Sequence, residues 1–222
     1  MNYIENIYVC LAAPILIAAI CIRYRGRVML ASTLAGMTMC LLSSYISTFL
    51  AAVQGMDLLS ASLELTPMVE EVMKFVPILF YLLVFEPGKY ETLGSILMTA
   101  VGFATFENVC YMTTNGAEDF SHLVIRGFGT GAMHVVCAYL IAIGLLYLWD
   151  RAWLRVAGTA GLLAVASTFH GIYNILVSQT GTAAMIGYLI PLLTCALSLL
   201  FIRDMQRNQR RRGADIPIES VD

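Results

Sequence analysis

Seven long apolar runs dominate the sequence and restrict its fold more than any other feature. They extend over Ile7–Ile22, Val28–Ala52, Met68–Phe85, Leu93–Tyr111, Leu123–Trp149, Val156–Val177 and Ala183–Ile202. A helix rises about 1.5 Å per residue, so roughly 20 apolar residues cross the hydrocarbon core of a bilayer. Composition agrees: of 222 residues, 59% are hydrophobic and 13% charged, against about 25% charged in a soluble domain. So little charge cannot cover a water-facing surface. The expected fold is therefore all-α, a polytopic transmembrane bundle of about seven helices, because lipid leaves each backbone N–H and C=O to find its partner inside the helix. The first run is followed, not preceded, by its positive charges, and so reads as a span and not as a cleavable signal peptide.

Charge sets the expected orientation. With the N-terminus outside and the C-terminus cytoplasmic, the inner loops and tail hold Arg23, Arg25, Arg27, Lys89, Arg151, Arg155, Arg203, Arg207, Arg210, Arg211 and Arg212, eleven of the thirteen basic residues. The other two, Lys74 and Arg126, fall inside spans, and the outer loops around Asp57, Glu64, Glu118 and Asp119 hold none. This is the positive-inside pattern of a protein integral to the cell's cytoplasmic membrane. Short connections containing Gly, Pro or Asn ("EPGKY" at 86–90, "TTNGAED" at 113–119, "SQTGT" at 178–182) imply one integral-membrane domain, 1–203, and a short, flexible, basic cytoplasmic tail, 204–222. Topology accounts for the basic tail, so no nucleic-acid partner is expected. The six cysteines form no CxxC pair and read as small core residues. Gly127 and Gly131 have the small-xxx-small spacing that lets helices approach closely.

Polar residues inside the spans are the exception to this pattern. The third run carries Glu70, Glu71 and Lys74, the fourth Glu107 and Asn108, the fifth His134, and the sixth His170 and Asn174. Ionisable groups at this depth are costly and face a bundle interior or a wet cavity. Counting about 1.5 Å per residue, His134 lies roughly 17 Å in from the outer end of its helix. On the same rise, His170 lies roughly 21 Å from the inner end of its own. Glu70, Glu71 and Glu107 lie within a turn or two of the outer ends, so all four helices can deliver polar groups to the outer half of the membrane. Glu70 and Lys74 are four apart with the glutamate first, a favourable spacing for an ion pair. Glu71 points about 100° away from Glu70, so one carboxylate can hold Lys74 while the other faces the cavity. Thr66 and Pro67 are the expected N-cap and first residue of that helix.

"EEVMK" at 70–74 resembles the EExxK motif of PrsW-type intramembrane proteases, and "FATFEN" matches their FxxxE motif through Phe103 and Glu107, with Asn108 and Tyr111 following. His134, the single histidine of the fifth apolar run, and "HGIYN" at 170–174 complete the order. The wider superfamily of CAAX prenyl proteases and Abi proteins is similar in layout but has histidine where this chain has Glu107, which favours the PrsW branch. The resemblance covers about residues 66–178. It implies a membrane-embedded peptidase whose substrate is a single-span membrane protein, such as a membrane-anchored anti-sigma factor cut on its extracytoplasmic side in a stress or signalling response.

Peptide hydrolysis needs an activated water, a stabilised oxyanion and a protonated leaving amine. The expected catalytic set is Glu70, Glu71, Glu107, His134, His170 and Asn174, with Lys74 and Asn108 in support. Glu70 or Glu71 is the base, and His170, oriented by Asn174, stabilises the oxyanion or holds the water. His134, His170 and Glu107 have the chemistry of a catalytic zinc site. The absence of HExxH, together with the metal-free glutamate mechanism argued for related prenyl proteases, leaves a metal-independent route open. Two other classes compete: a non-catalytic membrane chaperone or immunity protein of the same fold, and a small-solute or proton-coupled transporter. The inner half of the spans is nearly all apolar, which counts against a transport path.

Overall fold

A computed structural model describes residues 3–116, 119–148 and 152–214. Glu118, Trp149 and Arg151, used above for topology and boundaries, lie outside the described residues. Among the described residues there is no strand, and seven principal helices follow one another. They are α1 (Ile4–Cys21), α2 (Tyr24–Gln54), α3 (Thr66–Phe85), α4 (Lys89–Asn115), α5 (Phe120–Leu148), α6 (Ala152–Val177) and α7 (Thr182–Ala214). Five of them, α1, α2, α4, α5 and α6, are long and apolar enough to cross a membrane. α3 has the length but carries Glu70, Glu71 and Lys74, while the apolar part of α7, Thr182–Ser198, is shorter. The outward surface is oily, with Ile20, Phe49, Val53, Leu83, Phe128 and Leu197 all exposed, as a lipid-facing surface must be. α7 continues as helix to Ala214, past the expected start of a flexible tail, and 215–222 lie outside the described residues.

Turn chemistry follows the sequence. α2 ends on Gly55 at φ 65°, α4 on Gly116 at φ 84°, and Gly181 precedes α7 at φ 65°. These are left-handed positions that glycine occupies without steric cost.

Of three buried clusters, a small one joins Ala51 of α2 to Ala61, Leu65 and Val69 at the entry and start of α3, and two others build the rest of the bundle. One joins Phe75, Ile78 and Leu82 of α3 to Ile96 and Ala100 of α4, Met133, Cys137 and Ile141 of α5, and Ala166 and Tyr173 of α6. The other joins Met37 and Cys40 of α2 to Phe103 and Phe106 of α4, with Tyr8 and Leu11 of α1 packed outside. α2 and α4 run parallel, since their contacts advance in step: Ser32 hydroxyl to Ser95 hydroxyl at 2.7 Å, then Gly36 against Thr99 and Phe103. They touch backbone to backbone. A Cβ on Gly36 would lie 2.0 Å from the Thr99 carbonyl oxygen, and one on Gly102 2.0 Å from that of Thr33.

Gly127 and Gly131 do not play the expected part, because nothing lies within 4 Å of where their Cβ atoms would be. Spacing identified a pair of glycines, but the rotation of α5 turns them away from close neighbours. The cysteines also divide. All six are free, and Cys40 and Cys137 are buried, but Cys10 and Cys21 are exposed and so are not core residues.

α3 does not begin with a Thr66 cap. Asp57 caps the entry instead, its carboxylate accepting from the Leu59 and Ser60 N–H groups at 3.0 Å and from the Ser60 hydroxyl at 2.6 Å. A turn, Leu58–Ser60, and a π-helical stretch, Ala61–Leu65, then run unbroken into α3. Pro67 has no N–H to offer the carbonyl four residues back, and a wider turn accommodates that loss. Ser62 O accepts from Asn174 Nδ2 of α6 at 3.0 Å, and Leu63 O lies 3.7 Å from where a Cβ on Gly171 would be. The entry to α3 is thus docked on α6 just before Glu70 and Glu71.

Candidate active site

Glu70, Glu71 and Lys74 of α3, Glu107 of α4, His134 of α5 and His170 of α6 converge on one another. Glu71, His134 and His170 are each no more than 2% exposed, and Lys74 is 4% exposed. Leaving one such charge unpaired costs several kcal/mol, so their partners define the site.

Glu71 is central. Its Oε1 lies 2.5 Å from Lys74 Nζ and 2.9 Å from His170 Nδ1. Lys74 Nζ also reaches His134 Nδ1 at 2.8 Å and stands 4.9 Å from the centre of the Phe103 ring. The favourable four-residue spacing of Glu70 and Lys74 is therefore not the pairing used. A helix offers Lys74 both i−3 and i−4 neighbours, and His134 and His170, arriving from other helices, hold the ammonium and its carboxylate at Glu71.

Neighbours assign the tautomers. An ammonium only donates, so His134 Nδ1 accepts from Lys74, and Nε2–H donates to Glu107 Oε2 at 2.5 Å. His170 Nδ1–H donates to Glu71, which leaves the lone pair of Nε2 facing Glu70 Oε2 at 3.6 Å. The two rings meet edge to face, 5.1 Å apart and inclined at 88°. Glu70 Oε2 is buried and has no hydrogen-bond partner. Two acceptors thus face each other across a gap that a water, a proton or a cation would satisfy.

Glu70, His134 and His170 each present a ligand atom within 4.8 Å of the others. The expected carboxylate of such a group was Glu107. Its Oε2 is instead taken by His134 and its Oε1 lies 3.3 Å from the Arg126 guanidinium, so Glu70 completes the group. The donor set fits zinc: two imidazoles and a carboxylate, with Glu71 holding the outer nitrogen of His170 and Glu107 that of His134, the usual support for ligating histidines. Glu70 Oε2 has no partner and His170 Nε2 faces it at 3.6 Å, while His134 Nδ1 is shared with Lys74.

Asn108 and Asn174 lie outside this inner group. Asn108 Oδ1 accepts from Arg126, and the Asn174 amide binds the Ser62 carbonyl and not His170. Arg126 had no assigned role in the sequence reading. An arginine inside an apolar helix is itself the signal that could have found it.

A membrane-spanning helical fold around a buried acid–histidine group defines an integral-membrane protein with a polar site inside its helical bundle. The family model of PrsW family intramembrane metalloproteases matches residues 25–201, and the chain belongs to that family. It is accordingly a peptidase working in the lipid bilayer on membrane-embedded substrates. No match was found among curated proteins or among solved structures.

Proposed function

We propose that this protein cleaves a single-span membrane protein on its extracytoplasmic side, in the cytoplasmic membrane of the cell, with an anti-sigma factor of a stress or signalling response as the expected kind of substrate. The positive-inside distribution supports the outward-facing site, since Glu70, Glu71 and Glu107 then lie in the outer turns of their helices. One observation carries the catalytic reading: the orphaned, buried Glu70 Oε2 set opposite Nε2 of His170.

Glu70 is the general base. Its carboxylate takes a proton from water as the water oxygen attacks the scissile carbonyl carbon, and returns it to the amine as the C–N bond breaks. Glu71 does not share this task, because its Oε1 is committed to Lys74 and to His170. It fixes the His170 tautomer whose Nε2 lone pair is available to accept a hydrogen bond from the attacking water. In a zinc-bound form Glu70, His134 and His170 would hold the metal, Glu70 then serving as a ligand in place of base, and the metal would polarise a carbonyl as a Lewis acid and acidify water. Asn174 acts at a distance, by docking the entry of α3.

The test is co-expression with tagged single-span substrates, followed by sizing of the products. Loss of cleavage in Glu70→Ala, Glu71→Ala and His170→Ala is expected. Unchanged processing in all three would overturn the assignment of this site, and a cut mapped to the cytoplasmic side would overturn its orientation.

A further inference from the structure

Arg126 of α5 is a cation within an apolar helix, with its side chain 14% exposed. Three groups hold it, all from the last turns of α4. One terminal nitrogen lies 3.3 Å from Glu107 Oε1, the other donates to Asn108 Oδ1, and the guanidinium carbon stands 3.7 Å from the centre of the Tyr111 ring. Tyr111 is steadied in turn by its hydroxyl, 3.2 Å from His122 Nε2. A planar fork stacked on an aromatic face and bonded to two side chains has little freedom to move.

Glu107 is bound on both sides, Oε1 by Arg126 and Oε2 by His134. Without the arginine, one oxygen of this carboxylate loses its partner and the group is free to turn outward. We propose that Arg126 is a positioning residue of the active site. It anchors Glu107, and Glu107 in turn fixes the rotation and tautomer of His134. The line runs from Arg126 through Glu107 and His134 to Lys74 and Glu71, with every step a hydrogen bond or ion pair. The inference rests on Glu107 and His134 belonging to the active site.

Full-length protein carrying Arg126→Met, Arg126→Lys or Glu107→Gln is assayed in detergent or liposomes on one cleavable substrate, alongside thermal unfolding. Supports of ligating histidines are worth about 10–100-fold, so Arg126→Met is expected to lower kcat by that factor with KM changed less than about 3-fold. Arg126→Lys, which keeps the charge beside Glu107 but not the fork, is expected to recover part of the loss. The proposal is overturned if Arg126→Met keeps wild-type kcat, if the loss lies in KM (a direct substrate contact), or if Arg126→Lys is no better than Arg126→Met at equal folded protein. Should Arg126→Met fail to fold, Arg126→Lys decides: lowered kcat at unchanged KM supports the proposal, and wild-type kcat overturns it. Wild-type activity in Glu107→Gln removes the underlying site assignment, whereas impaired Glu107→Gln beside unimpaired Arg126→Met removes only this inference.

Discussion

Lys74 pairs with Glu71, three residues before it, with Nζ 2.5 Å from Oε1, and not with Glu70, four residues before it. The consequence is a division between adjacent carboxylates. Glu71 is structural and orienting, while Glu70 keeps a buried oxygen without a partner. Lys74→Met should therefore destabilise the protein by about 3–5 kcal/mol, the usual result of leaving one charge of a buried pair alone. Glu70→Gln should leave stability within about 1 kcal/mol and lower kcat by about 10²–10⁴-fold, the typical contribution of a general base. Thermal unfolding in detergent and a cleavage assay separate the two, and the reverse pattern would exchange the roles.

Metal removal gives a second prediction. Dialysis against a strong chelator should abolish cleavage, and zinc should restore it. Elemental analysis should find close to one zinc per wild-type chain and markedly less in Glu70→Ala and His170→Ala, because both present a ligand atom to the group. Full activity in chelated, metal-free protein would favour the glutamate mechanism.

The glycines give a third, testing the packing directly. Gly36→Ala and Gly102→Ala each drive a methyl group to 2.0 Å from a backbone oxygen. Backbone cannot swing aside as a side chain tip can, so each should cost at least the 1–3 kcal/mol typical of overpacking. Gly127→Ala and Gly131→Ala meet nothing within 4 Å and should be neutral, or stabilising by up to about 1 kcal/mol through helix propensity. Melting temperatures of the four variants would check this.

Asn174 provides a fourth. Its amide binds the Ser62 carbonyl in the π-helical entry to α3, so Asn174→Ala loses one hydrogen bond, about 0.5–1.5 kcal/mol. The entry should loosen while the His170–Glu71 contact persists. Hydrogen exchange should rise over 58–66, and kcat should fall much less than in His170→Ala. Equal losses in the two variants would return Asn174 to the role of orienting His170.

The fifth concerns pH and lies outside the spans. The Ser60 hydroxyl and the Ser60 and Leu59 backbone N–H groups hold the Asp57 carboxyl below the usual carboxylate range. Because its folded-state pKa is depressed, the cap contributes fully above the unfolded value, about 3.9, and its contribution is lost as pH falls through the folded value. Asp57→Asn, which caps without titrating, should remove that acid-range component from unfolding curves measured between about pH 5 and 2.

Much of this protein was legible in its sequence, and for a local reason. Apolar runs of membrane length mark helices whatever their neighbours, because lipid leaves the backbone no other partner. A charge in such a run marks an inward-facing position, because burial against lipid is costly. These two rules located the helices and the four that carry polar groups, and the motif order pointed to the family. They could not assign partners. Whether Lys74 takes Glu70 or Glu71, whether Glu70 or Glu107 joins the two histidines, where Asn174 bonds, and which glycines touch are set by each helix's rotation and depth against the others. A helix presents i−3 and i−4 neighbours almost equally, and only side chains arriving from α4, α5 and α6 choose between them. Arg126 shows the same limit: its charge was visible in the sequence, but its attachment to Glu107 exists only once α5 packs on α4.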